Sequence, residues 1–182
     1  MASREVLDEL LADLAPARLL DVGCGGGARA GSIGVDVDVG VLRSVAAEGM
    51  RAVAGDALAL PVRWLAVDAA VACGLVHHLL DHRAALTELA RAVRPGGSVI
   101  VLDVEPQRPD RFAAMTDELT RRGHPTEPGN GVALDDLGRA MTIAGLERQS
   151  ARPVGTWQHS CPPWTDDVYT SRAWLYHAIR AG

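Results

Sequence analysis

Two acids, each closing a short apolar run, are the residues of this sequence best arranged to do chemistry. The first run, Leu19-Leu20-Asp21-Val22, passes into Gly23-Cys24-Gly25-Gly26-Gly27, and the second, Ile33-Gly34-Val35, ends at Asp36 and is followed by Val37 and Asp38. Glycine permits backbone torsions closed to other residues and lets main-chain N–H groups come close to a ligand. An acid at the end of the next strand can accept hydrogen bonds from both hydroxyls of a ribose. Together these groups describe a site for an adenosine-containing cofactor at the carboxyl ends of two neighbouring parallel strands.

The elements that must position them follow along the chain. Val6, Leu7, Leu10, Leu11 and Leu14 recur at helical spacing behind a Ser3 cap, and Pro16 separates them from a strand at 18–22. A second strand runs over 33–36, Asp38 caps a helix reaching Glu48 and closed by Gly49, and a third strand lies near 51–54. Apolar residues 66–72, interrupted only by Asp68, give a fourth strand; Asp81 caps a helix at 82–93, and Arg94-Pro95-Gly96-Gly97 turns the chain into a fifth strand at 98–102. Beyond Asp103 the pattern predicts a helix near 110–122, a Gly/Pro loop at 123–131, a helix at 135–144 and strands near 147–153 and 173–179. The alternation means a parallel α/β sheet with helices on both faces.

Composition narrows the function classes. A chain of 182 residues that is 48% hydrophobic suits one domain with a sizeable core. Net charge is −5 and all 18 basic residues are scattered arginines, so no basic stripe points to nucleic acid. The first helix carries Glu5, Asp8, Glu9 and Asp13, unlike a secretory segment, and no apolar run approaches the roughly 20 residues that span a bilayer. A cytoplasmic protein with no membrane partner is expected. Cys24, Cys73 and Cys161 are odd in number and lack a CxxC, which argues for reduced thiols rather than a disulfide framework or zinc ribbon.

The motif series resembles the class I S-adenosylmethionine-dependent methyltransferases, especially the branch acting on small molecules. The resemblance rests on DVGCGGG, on GVDVD, on Gly55-Asp56-Ala57-Leu58-Ala59-Leu60-Pro61, on Leu75-Val76-His77-His78-Leu79 and on Arg94-Pro95-Gly96-Gly97, in family order over residues 19–103. It implies a Rossmann-like, doubly wound, seven-stranded and mainly parallel sheet with an antiparallel last strand, in a single domain over 1–182. Residues 1–103 would form the cofactor half and 104–182 the acceptor half. It implies S-adenosyl-L-methionine as cofactor and a small organic acceptor as partner; oligomeric state is left open. One departure is clear: only residues 28–32 separate the glycine loop from the second strand, so the usual helix there must shrink to one turn or less.

Carried over position by position, the resemblance gives Asp21 the organisation of the glycine loop and the methionine ammonium. Gly23, Gly25 and Gly27, with Cys24 between them, would leave room for the amino-acid portion. Asp36 would take the ribose hydroxyls, Val37 would pack on adenine, and Asp56 and Ala57 would meet the adenine edge. Cys73 and Gly74 would present main-chain carbonyls to the ammonium; Cys73 lacks a nearby basic partner and is not read as a nucleophile. His77 and His78 stand where the fourth-strand loop meets the acceptor, and either can remove a proton near neutral pH, although one of two adjacent residues there commonly packs inward.

Aromatic residues are few, four Trp, two Tyr and one Phe, yet Trp157, Trp164 and Tyr169 cluster with His159 beside Pro162 and Pro163. Read as a loop between the last two strands, this segment forms a wall over the acceptor site, with core packing or a dimer contact as the other reading. No metal is expected, because the spacing of His77, His78, His159 and Cys161 specifies none. Two further readings stay open. The glycine loop loosely fits a nicotinamide dinucleotide fingerprint, but lacks the following helix on whose N-terminus a pyrophosphate would rest. The fold can also bind the cofactor for other chemistry or a regulatory or scaffolding role.

Overall fold

A computed structural model gives the architecture and describes residues 2–27, 29–49, 51–79, 81–105, 132–159 and 169–182. In chain order the elements are α1 (Ala2–Leu14), β1 (Leu19–Val22), β2 (Ile33–Asp36), α2 (Val39–Ala47), β3 (Arg51–Ala54), β4 (Val67–Cys73), α3 (His82–Ala92), β5 (Val93–Val104), α4 (Leu134–Ile143), β6 (Leu146–His159) and β7 (Tyr169–Arg180). Single 3-10 turns lie at Gly25–Gly27 and Val76–His78. The strands form one seven-stranded sheet in the order β3-β2-β1-β4-β5-β7-β6. Neighbours among β1 to β5 are parallel, and β7 runs antiparallel to both β5 and β6. The expected α/β sheet with an antiparallel last strand is therefore present.

Strands covered on both faces need apolar side chains at successive positions, which is why β4 and residues 99–102 of β5 read as nearly unbroken apolar runs. Alternation along β5 then divides the core. Val99 and Val101 face Leu86 and Leu89 of α3 and Leu137 and Met141 of α4, whereas Ile100 and Leu102 face Leu7 and Leu11 of α1. Helix starts follow their caps: Asp38 accepts from the Gly40 and Val41 N–H groups, and Asp81 from that of Ala84. With the sheet pinned on both faces, the carboxyl ends of β1, β2, β3 and β4 stand side by side along one edge.

Three expectations change. Ser3 lies inside α1, which begins at Ala2, and so is not its cap. Residues 94–97 do not precede the fifth strand but sit within it: Val67 pairs with Val93 and Ala69 with Ser98, so the four residues bulge out of a ladder already begun. The aromatic segment is not wholly a loop. Pro153 and Gly155 mark an irregularity, after which pairing resumes through Trp157 with Ser171 and His159 with Tyr169. Trp157, His159 and Tyr169 therefore belong to strands. The expected helix at 110–122, the loop at 123–131, Cys161 and Trp164 lie outside the described residues.

Candidate active site

The glycine loop is fastened to the second strand. The N–H groups of Gly23 and Cys24 donate to the Val35 carbonyl at 2.8 and 3.2 Å, and Gly23 adopts φ +65°, a left-handed conformation that suits glycine. Asp36 closes the loop from the other side: one carboxylate oxygen accepts from Gly25 N–H at 2.9 Å and the other from Asp38 N–H at 2.9 Å. Each oxygen keeps a further lone pair for a ligand hydroxyl. A side chain added at Gly25 or Gly26 would meet nothing within 4 Å, so space is open above the turn. Val37 beside it is 71% exposed, and Ala57 is buried beneath the third-strand loop. Gly55 N–H reaches the Asp36 carbonyl, while the exposed Asp56 accepts from Leu58 N–H in a local turn.

At the other end of this edge, β4 gives way to Gly74 in a left-handed conformation, φ +66°. Its N–H donates to the Leu102 carbonyl of β5, and a Cβ there would lie 2.7 Å from the Trp157 ring, so Trp157 leans directly on this turn. The Val76–His78 turn is held by Asp103 at the end of β5. That carboxylate, only 3% exposed, accepts from Val76 N–H at 2.9 Å, His77 N–H at 3.3 Å and Val104 N–H at 2.8 Å, and meets His77 Nδ1 at 2.5 Å. An ionised carboxylate only accepts, so the neutral imidazole carries its hydrogen on Nδ1 and leaves the Nε2 lone pair open. His78 stacks obliquely on the His77 ring and is exposed. The structure fixes the His77 ring on Asp103.

Residues 20–101 match the family model described as a methyltransferase domain. The strand order, with its antiparallel β7, is shared with solved methyltransferases: a geranyl diphosphate methyltransferase in complex with SAM superposes with a TM-score of 0.72 at 17% identity, over 98% of this chain and 85% of that one. In fold and in this matched segment, the chain is similar to the class I S-adenosylmethionine-dependent methyltransferases. A demethylmenaquinone methyltransferase of Mycolicibacterium vanbaalenii is 34% identical over 99 residues, covering 54% of this chain and 43% of that protein. A tRNA (carboxymethyluridine(34)-5-O)-methyltransferase of Arabidopsis thaliana is 34% identical over 92 residues, covering 46% and 23%. The chain thus spans less than half the length of these curated relatives.

The matched methyltransferase domain implies S-adenosylmethionine, and the donor set of this edge is chemically suited to it. Beyond the Gly25–Gly27 turn, which is all that remains of the usual crossover helix, Arg29 reaches back across the edge. Its guanidinium lies 3.0 Å from the buried Asp21 carboxylate and 3.2 Å from Asp8 of α1. An ion pair at one end and an acid with spare lone pairs at the other complement an amino-acid zwitterion and a diol. Burial pushes the Asp21 carboxyl above its usual value, and the Arg29 charge opposes that rise. Burial also raises the Cys73 thiol, and burial together with the Asp21 and Asp36 charges pushes Cys24 up to about 11. Both thiols are poor nucleophiles at neutral pH, which agrees with the expectation for Cys73, although the Arg29 charge acts on that thiol where the sequence shows no basic partner.

Two functional groups escaped the sequence. Arg29 was one scattered arginine among 18, and its only signal is a lone charge directly after a glycine cluster. Asp103 looked like the end of a strand, and its meeting with His77, 26 residues away, appears only once β4 and β5 are paired. The structure brings the expected cofactor residues of β1, β2, β3 and β4 to one edge and sets Trp157 against its far end. It places the backbones of His159 and Tyr169 further along the β6–β7 ladder.

Proposed function

We propose that this chain transfers the methyl group of S-adenosylmethionine to a small organic acceptor, with His77 receiving the acceptor's proton. The carrying observation is the buried Asp103 carboxylate fixed on His77 Nδ1, which leaves Nε2 of a neutral imidazole as the proton acceptor. The bound donor supplies an electrophilic methyl whose C–S bond breaks as the bond to the acceptor forms, the electron pair staying on sulfur. Asp103 then faces the imidazolium, and its negative charge stabilises it. Asp36 takes the ribose hydroxyls, Val37, Asp56 and Ala57 line the adenine, and Asp21 and Arg29 read the ammonium and carboxylate of the methionine. Gly23, Cys24, Gly25 and Gly27 give the amino-acid portion its room, Cys73 and Gly74 offer main-chain carbonyls, and Trp157 closes the side of the site against Gly74. The donor is held by residues 1–103, the acceptor faces the remainder of a single domain, and the protein works in the cytoplasm.

The relatives' names divide between a demethylmenaquinone acceptor and tRNA, and six of the 18 arginines favour the former. Arg18 and Arg94 are paired with Asp68, Arg29 with Asp21 and Asp8, Arg91 with Glu88 and Arg139 with Asp136, while Arg180 donates to three main-chain carbonyls. Charges committed in this way are poorly placed to neutralise a phosphate backbone.

The test pairs calorimetry with turnover. S-adenosylhomocysteine should bind wild type and His77→Asn alike, whereas methyl transfer to a panel of phenols, carboxylic acids and amines should fall by roughly 10²–10⁴-fold in the variant, the usual contribution of a positioned base. Full turnover in a folded His77→Asn would remove the proton-transfer role.

A further inference from the structure

Beside His77 lies a cleft of about 190 Å³ that the donor residues do not line. Val76, Leu79 and Val132 make its apolar wall, His77 and His82 set two imidazoles into it, and Asp136, paired with Arg139, stands at its margin. His82 opens α3 directly after the Asp81 cap, and its Nε2 is buried with no hydrogen-bond partner among the described residues. Leaving such an atom unsatisfied is destabilising, and a leucine at that position would avoid the penalty. A buried orphan nitrogen on a residue that lines a cleft shared with His77 is the mark of a ligand group.

Size and lining narrow that ligand. An apolar cavity of roughly 150 Å³ accommodates benzene, so this cleft takes one ring with small substituents. Neither imidazole suits a purely hydrocarbon guest, because each offers a nitrogen needing a polar partner. We infer that the cleft holds the acceptor, that the acceptor is a single-ring phenol bearing a second oxygen substituent, and that His82 Nε2 is the anchor for that second oxygen while His77 faces the reacting hydroxyl. His82 is thereby a specificity-determining residue. The inference rests on the methyl-transfer reading for the reaction that follows binding, though not for binding itself.

The experiment compares phenol, catechol and resorcinol with toluene as probes of the protein. In wild type at least one diphenol should bind tighter than phenol by about tenfold, a difference of ~1.4 kcal/mol. It should also move the Nε2 resonance of His82 in long-range ¹⁵N spectra. His82→Leu should abolish that preference while melting no lower than wild type, since it removes an unsatisfied buried group. A diphenol preference that survives in His82→Leu would overturn the assignment. So would an unmoved His82 resonance in saturated wild type, a measurement that needs no variant to fold. S-adenosylhomocysteine is titrated in parallel: if it fails to bind while the diphenol preference and its loss in His82→Leu are intact, the donor reading falls and the cleft assignment stands.

Discussion

One carboxylate, that of Asp103, both holds the Val76–His78 turn through main-chain N–H groups and selects which nitrogen of His77 carries hydrogen. Asp103→Asn separates the two jobs. An amide oxygen can still accept from the main chain, but its NH₂ facing Nδ1 favours the opposite tautomer and turns the Nε2 lone pair into a donor. We expect the variant to fold, to bind S-adenosylhomocysteine normally and to lose turnover by about 10²-fold or more, with an altered pH–rate profile, as for a buried acid beside a catalytic histidine. Donor binding reports on another acid. Asp36→Ala should weaken it by roughly 1.5–3 kcal/mol, or about ten- to a hundredfold, the range for hydrogen bonds to a charged group. Calorimetry showing undiminished affinity in a folded variant would detach Asp36 from the ribose.

Among the elements, the crossover after β1 has the most to reveal. With only the Gly25–Gly27 turn where a helix would pack, the Gly25, Arg29 and Ser32 N–H groups are held by the Asp36 and Asp21 side chains and the Arg29 carbonyl, whereas Gly23 and Cys24 donate to Val35 of the neighbouring strand. Amide exchange should be fast over residues 25–32 without donor and slow on adding S-adenosylhomocysteine, while Gly23 and Cys24 stay protected throughout. Strong protection of 25–32 in the free protein would contradict this. Element by element, legibility follows the range of the interactions. β2 and β3 were read to their end residues because short apolar runs bounded by glycine and acids carry their own limits. β6 was read short because Pro153 and Gly155 look like a stop, whereas pairing with β7 on the far side of the bulge rescues the strand. At the site, the glycine loop and both strand-end acids announce themselves locally. The His77–Asp103 pair, the Arg29 bridge and the His82 cleft exist only through contacts between distant segments.

Across the whole molecule, His177 ties stability to pH. It lies buried in β7, its Nε2 3.0 Å from the Ser98 hydroxyl of β5, and burial pushes its pKa below the free value. The unfolded chain then takes up the proton first. The stability contributed is complete above about pH 6.5, the ordinary histidine value, and is lost as pH falls from there through the lower folded-state value. Melting temperature measured against pH should fall across this window in wild type and fall less steeply in His177→Gln; equal slopes would exclude His177 as the cause. The strand order has a consequence of another kind. β1 sits between β2 and β4, yet the partners of Leu19 and Leu20 in β4 are Ala69 and Ala70, fifty residues further along. At roughly 5–20 residues per second of synthesis, the inner edge of β1 waits some 3–10 s on the ribosome after β1 itself is made. During that interval the future centre of the sheet is an open, apolar edge, and the nascent chain is most exposed to mispairing before its fourth strand emerges.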